Sequence, residues 1–273
     1  MNAHERRIVF DDGAATILET WGTGGPSVLC LHGMTSSRKS WQRSAGALEL
    51  AYVVHADDQR GNGDAAAVRG QMSFARIVRD CIEITDAIPG GIDTLIGHSC
   101  GGAVALLAGL KLGVSRVVAI DPLFRPRRDN RNGSSWTEYW HEQMDPMFAL
   151  HGADRERKVI EDYRDLPDIE IQAKIHALRN MTIDPLVGIG QENGADEDKL
   201  DLRETIVNYP KPLLMMLADQ AESVVRADDV DFIRRHGGSN VTVRVFEGQG
   251  HSLHRTGFDE YMRVLNAFIS VPA

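Results

Sequence analysis

The stretch Thr94-Leu95-Ile96-Gly97-His98-Ser99-Cys100-Gly101-Gly102-Ala103-Val104-Ala105-Leu106-Leu107 decides how the rest of the chain is read. It opens on an apolar, β-prone run and closes on small, helix-forming residues, with a serine in Gly-x-Ser-x-Gly between them. A serine on so sharp a strand-to-helix turn takes up a strained backbone conformation. A larger side chain two positions to either side would collide, and Gly97 and Gly101 remove that collision. The turn lifts the Ser99 hydroxyl above the sheet, while the helix N-terminus behind it favours developing negative charge. The string lacks the lysine of a phosphate-binding loop, so it reads as the seat of a nucleophile.

Outward from this turn, short Val-, Ile- and Leu-rich runs recur at 8–10, 16–21, 27–31, 52–56, 94–97, 116–120, 212–217 and 242–246. Helical spacing fills 38–50, 74–88, 101–112, 228–236 and 258–269; in the last, Phe258, Tyr261, Met262, Leu265, Phe268 and Ile269 recur at three- and four-residue steps. Strands alternating with helices predict an α/β fold whose mostly parallel sheet is covered on both faces. The two N-terminal runs have no helix between them and predict an antiparallel hairpin at one edge. No strand pattern is visible across 123–208, which Asp121-Pro122 and Tyr209-Pro210 bracket with turn chemistry. A structureless loop of that length is rare, so the segment reads as a helical insertion: a cap over a core formed by 1–122 and 209–273.

Composition narrows the function. The chain has 273 residues, and 30 Lys plus Arg against 39 Asp plus Glu give a net charge of −9, a poor match for nucleic acid or an anionic membrane. Cys30, Cys81 and Cys100 are an odd number without paired or ligand spacing, which disfavours a disulfide framework and a zinc site and suits a reducing compartment. The polar Met1–Phe10 segment does not read as a secretory signal, and no apolar run reaches the roughly 20 residues of a membrane helix. The expectation is a cytoplasmic protein acting on a small molecule.

A nucleophilic serine needs N–H donors for the oxyanion it creates. The backbone amide of Cys100, directly after Ser99, is one. Leu31-His32-Gly33-Met34-Thr35-Ser36-Ser37, a strand end running into a glycine turn, offers Met34 N–H as the other, since Gly33 lets the backbone reach over Ser99. His32 reads as a histidine that braces this loop.

With these motifs in place, the chain resembles the α/β-hydrolase superfamily over nearly its whole length. The resemblance rests on His32-Gly33, on Gly97-His98-Ser99-Cys100-Gly101-Gly102, on Asp58-Gln59-Arg60-Gly61-Asn62-Gly63-Asp64 and on Gly248-Gln249-Gly250-His251, in the family's order and rough spacing. It implies an eight-stranded sheet with a helical cap after strand six. The family order of nucleophile, acid and histidine selects His251, after the last strand, as the base. His254 is the competitor, expected at the pocket rim or on the surface; the two lack a third ligand, so they do not read as a metal pair. The acid stays open. The family's usual place after strand seven falls on Ala221, with Asp219 two residues early and Glu222 one late. A minority of the superfamily carries the acid after strand six, and Asp121-Pro122 fits that arrangement, so Asp121 is favoured, then Asp219, then Glu222.

The expected substrate-binding residues are His32, Gly33 and His98 near the nucleophile, and Trp136, Trp140, Met144 and Met147 from an aromatic and methionine stripe in the insertion that also includes Tyr139 and Phe148. Arg125, Arg127, Arg128 and Arg131 read as a solvated face with a secondary chance of greeting a carboxylate. Cys100 is expected on the pocket floor, where it could confer sensitivity to thiol reagents. The resemblance implies acyl transfer to water from a small or medium ester, thioester, lactone or amide, with no metal or organic cofactor. Hydrolysis of a C–C bond in a β-diketone, acyl transfer or lyase chemistry on the same triad, and a non-catalytic ligand receptor remain alternatives. Serine rather than aspartate at the turn disfavours dehalogenase and epoxide-hydrolase chemistry.

Overall fold

Three consecutive strands are buried at every position: β5 (Thr94–His98), β6 (Arg116–Ile120) and β7 (Leu213–Ala218). A strand covered on both faces has no polar side to alternate with, which is why these segments read as continuous apolar runs. The computed structural model describes residues 3–68, 70–125, 134–194 and 201–270. Five further strands, β1 (His4–Val9), β2 (Ala15–Trp21), β3 (Ser27–Leu31), β4 (Val53–Asp57) and β8 (Val241–Phe246), complete one sheet in the order β1-β2-β4-β3-β5-β6-β7-β8. β2 runs antiparallel to both β1 and β4, and all other pairs are parallel.

Period-two alternation sends neighbouring residues of each central strand into different cores. Leu29, Leu95, Val117, Leu213 and Met215 pack with α2 (Phe74–Asp86), α3 (Cys100–Leu112) and α9 (Ala227–His236). Val28, Cys30, Ile96, Val118, Leu214 and Met216 pack instead with α1 (Gln42–Leu48), the short α10 (Leu253–Thr256) and α11 (Phe258–Ile269). Helix α3 is apolar nearly all round because it is buried behind the serine turn, and it stops at Gly113, whose φ of 64° suits a left-handed C-terminal position. The edge hairpin expected at the N-terminus is present, but β1 starts at His4 rather than at residue 8. Its first residues are polar because an edge strand faces solvent, so they carry no apolar signal.

Between β6 and β7 the described residues form five helices and no strand: α4 (Trp136–Phe148), α5 (Gly152–Asp162), α6 (Asp168–Leu178), α7 (Asp184–Asn193) and α8 (Arg203–Val207). Ser135 and Glu138 form a reciprocal capping box that starts α4. The helices have an apolar cluster of their own around Met147, Val159, Ile171, Ile175, Leu178 and Leu186. Polar ties fasten them to the sheet domain: Arg255 Nε lies 2.5 Å from Glu170 Oε2, and Lys174 Nζ donates to Thr35 O at 2.7 Å.

Below the serine turn, the end of β4 concentrates buried charge. Asp58 is fully buried, accepts the Arg38 N–H at 2.8 Å and the Asp64 N–H at 2.9 Å, and pairs with the Arg38 guanidinium. Arg60 clasps both oxygens of Asp80 at 2.8 and 2.9 Å. The Asp-x-Arg-Gly-x-Gly stretch is thus a junction that fixes the turn after β4. Asp57 lies beside it, buried, with Oδ1 lacking a hydrogen-bond partner among the described residues. Burial first, then the neighbouring Asp58 and Asp80 carboxylates, push its pKa up to about 8. The folded chain therefore keeps a proton that the unfolded chain releases near the ordinary aspartate value. Between those values stability falls as pH rises, by at most about 1.4 kcal/mol per pH unit. Asp57→Asn removes this slope: its melting temperature relative to wild type should climb between pH 5 and pH 8, and an advantage that shrinks over that range would contradict the assignment.

Candidate active site

Ser99 joins β5 to α3 with φ 55° and ψ −119°, a region that residues with a Cβ rarely occupy. The surroundings hold it there. Its N–H donates to Ile120 O at 2.9 Å, and its own carbonyl accepts the Leu123 N–H at 2.9 Å, which knits the turn to the end of β6. A Cβ on Gly97 would stand 2.1 Å from Gly101 O, and one on Gly101 would stand 2.3 Å from Leu31 O. Both glycines are therefore required by backbone contact. As the first residue of α3, Cys100 has no carbonyl four residues back within the helix to accept its N–H.

The loop after β3 crosses close above this turn. A Cβ on Gly33 would meet Ser99 Cβ and His98 Nδ1 at 2.9 Å each, so only glycine permits the approach that brings Met34 to the cavity wall. His32 is buried and braces the loop: its Nδ1–H donates to Gly33 O at 2.7 Å, and its Nε2 accepts the Gln59 N–H at 2.9 Å. Desolvation lowers its pKa and keeps the ring neutral, as the acceptor role of Nε2 demands. His32 and Gly33 do not line the cavity; they shape it from behind.

His251 Nδ1 lies 2.6 Å from Asp121 Oδ2, so the favoured acid and the favoured base are hydrogen-bonded. Asp121, at the end of β6 with φ 39°, is wholly buried. Its carboxylate also accepts the Ala218 N–H at 3.2 Å, the Ser223 hydroxyl at 2.5 Å and the Val224 N–H at 3.1 Å. With Nδ1 engaged, Nε2 is the ring nitrogen left for proton exchange. Asp219 is engaged elsewhere. It accepts the Ala221 N–H at 3.0 Å and the Gly248 N–H at 2.9 Å, which lowers its pKa and pins the turn after β7 to the turn after β8. Glu222 is exposed at the cavity mouth.

Ser99 and His251 open onto one cavity of about 910 Å³, which Met34, His98, Trp136 and Trp140 also line. Met144 and Met147 are not among its wall residues. They pack into the apolar cluster of the insertion, the use a methionine stripe more often has. His98 faces the cavity with its Nε2–H donated to His251 O at 3.0 Å, a bond that fixes the His251 backbone. His254 is buried against Trp41, His98 and Tyr261 rather than on the surface, yet it forms part of the cavity wall, and burial holds its pKa well below the usual imidazole value. The Cys100 thiol is buried, and burial pushes its pKa up to about 12, so it does not offer the thiolate that the expected reagent sensitivity needs. Arg125 pairs with Asp228 and Asp229, while Arg127, Arg128 and Arg131 lie outside the described residues. Sequence reading missed Ser223, Lys174 and Arg255. None carries a motif: Ser223 and Arg255 directly follow the candidates Glu222 and His254, while Lys174 reaches the cavity only through the folding of a distant segment.

A strained serine at a strand–helix turn, a histidine after the last strand and an eight-stranded, mostly parallel sheet together define an α/β hydrolase. Residues 28–264 match the model of the alpha/beta hydrolase family, and the chain belongs to that family. It is 30% identical over 106 residues to the magnesium-chelatase 30 kDa subunit of Rhodobacter capsulatus, an alignment taking in 38% of this chain and 37% of that one. To the putative carbamate hydrolase RutD of Variovorax paradoxus (strain S110) it is 39% identical over 84 residues, 30% of this chain and 32% of the relative. The chain thus spans about a third of the length of these curated relatives. In fold it is similar to E-2-(acetamidomethylene)succinate hydrolase, with a TM-score of 0.78 and 18% identity over 99% of this chain and 100% of that one.

Backbone contact at the serine turn predicts that Gly101→Ala lowers stability by about 3 kcal/mol, a fall in melting temperature of roughly 6 to 12 °C. A melting temperature within about 2 °C of wild type, read by calorimetry, would show that the turn relaxes around a Cβ.

Proposed function

We propose that the protein is a serine hydrolase that cleaves a small to medium carboxylic ester, thioester, lactone or amide through an acyl-enzyme. Ser99 Oγ attacks the carbonyl carbon while His251 Nε2 takes its proton. The tetrahedral oxyanion is held by the backbone N–H groups of Met34 and Cys100. His251 then protonates the leaving group, which departs as the carbonyl re-forms. In the second half His251 deprotonates a water that attacks the acyl carbon, and the proton returns to Ser99. Asp121 accepts Nδ1–H throughout, which fixes the tautomer and stabilises the imidazolium that forms in each half.

The observation that carries this reading is the hydrogen bond from the buried Asp121 to His251, which lines the same cavity as Ser99. A carboxylate with no solvent exposure whose remaining oxygen sites are filled by backbone and serine donors is poorly placed to do anything else with its charge. The five helices between β6 and β7 act as the lid in this scheme, since Trp136, Tyr139 and Trp140 of α4 form part of the cavity wall.

The test is covalent labelling of the purified chain with a fluorophosphonate, followed by turnover of short-chain 4-nitrophenyl esters. Labelling is expected in wild type and absent in Ser99→Ala; no labelling of wild type would overturn the reading. Between the two acids, Asp121→Asn should lower kcat by about three to four orders of magnitude and Asp219→Asn by less than about tenfold. The opposite ranking would return the acid to the turn after β7.

A further inference from the structure

The whole chain is acidic, yet the described charged residues on the cavity wall are Arg125, Lys174, Arg226 and Arg255 against a single carboxylate, that of Glu222. Two of the cations are neutralised from behind. Arg125 is held by Asp228 and Asp229, and Arg255 by Glu170. Lys174 is different. It projects from α6, is 7% exposed, and has no carboxylate partner among the described residues. Its ammonium donates to two neutral oxygens, Thr35 O at 2.7 Å and Thr35 Oγ1 at 3.2 Å, and lies 5.2 Å from the centre of the Tyr163 ring. The one carboxylate a turn earlier on the same helix, Glu170, is taken by Arg255, which is itself a like charge.

A buried ammonium without a counter-ion is costly, because neutral acceptors replace only part of its lost hydration. The cost shows in the titration of Lys174, which burial and then Arg255 hold down to about 7. An ammonium has three N–H donors, and the oxygens of Thr35 engage two. On the same wall, Trp140 keeps an indole N–H shielded from solvent with no acceptor among the described residues. Unused donors and unbalanced positive charge in one cavity call for the same kind of ligand atom.

We propose that Lys174 forms a carboxylate subsite, so that the preferred substrates carry an anionic group a few bonds from the scissile carbonyl, as in a half-ester or half-amide of a dicarboxylic acid. The subsite rests on the hydrolase reading for its substrate, but the anion it binds is independent of the chemistry. Thr35 directly follows Met34, so an anion on Lys174 places the acyl group beside the loop that offers the oxyanion donor. Arg255 does not compete for the ligand, its guanidinium being held by Glu170.

Two matched ester pairs test the subsite: 4-nitrophenyl hydrogen glutarate with 4-nitrophenyl butyrate, and 4-carboxyphenyl butyrate with phenyl butyrate. The readout is the anionic-over-neutral ratio of kcat/KM. Wild type should favour the anionic member of at least one pair, and Lys174→Met should reduce that ratio by about 10- to 100-fold, mainly through KM, while Lys174→Arg retains most of it. If Lys174 only braced the Thr35 loop, both members would decline together and the ratio would stay constant, which would overturn the proposal. Calorimetric titration of glutarate into wild type and Lys174→Met separates the two readings. Glutarate binding that Lys174→Met abolishes, without ester turnover in wild type, would uphold the subsite and sink the hydrolase reading. Turnover with an unchanged ratio would sink the subsite alone, and a wild type that neither binds glutarate nor turns over either pair would sink both readings.

Discussion

A carboxylate with no access to water has to be surrounded by donors, and Asp121 meets that condition by drawing three chain segments together. It sits at the end of β6, accepts from Ala218 at the end of β7 and from Ser223 and Val224 in the turn beyond, and holds His251 from the turn after β8. Its own N–H donates to Met216 O at 2.7 Å. Remove the charge and each of those segments loses a partner at once. The geometry of the candidate site therefore depends less on the strained serine, which the glycines around it permit, than on the buried anion that sets the ring opposite it.

The elbow and the anion are coupled through the sheet. Ser99 donates its N–H to Ile120 O, and Leu123 returns a hydrogen bond to Ser99 O, so the residues on both sides of Asp121 are tied to the nucleophile turn. A second brace works from the other side. His32, kept neutral by burial, hangs the loop that carries Met34 on the backbone of Gln59, within the turn that Asp58 and Arg38 hold rigid. The parts of the site are carried on turns, yet each turn is fixed by a buried polar group with a specific partner, which gives the preorganisation that electrostatic stabilisation of an oxyanion needs.

How much was legible in the sequence follows from the range of the forces involved. The central strands could be read because full burial demands apolar runs, and Leu95-Ile96 or Val117-Val118 serve both cores whatever the rest of the chain does. The serine turn could be read because its glycines answer to clashes within a few residues and with one crossing loop. β1 began earlier than its apolar residues indicated, because pairing on one side and solvent on the other leave composition almost free. The choice between Asp121 and Asp219 was beyond local pattern: both stand at strand ends in plausible turns, and only the three-dimensional course of the β8 turn puts one of them under His251. The burial of His254 escapes local pattern for a similar reason, since Trp41 and His98, which cover it, lie far from it in the chain. Lys174 gave no signal, because a lysine on a helix is ordinarily solvated and its burial here is set by the packing of α6 over the Thr35 loop.

The central claim is that a buried Asp121 carboxylate fixes the Nδ1–H of His251. Proton NMR of the resting protein reads this bond directly, as a strongly deshielded imidazole N–H signal. The signal should vanish in Asp121→Asn and persist in Asp219→Asn. A signal that survives the loss of Asp121, or disappears with Asp219, would mean that the ring is held by another group and that the site is arranged differently from the one described.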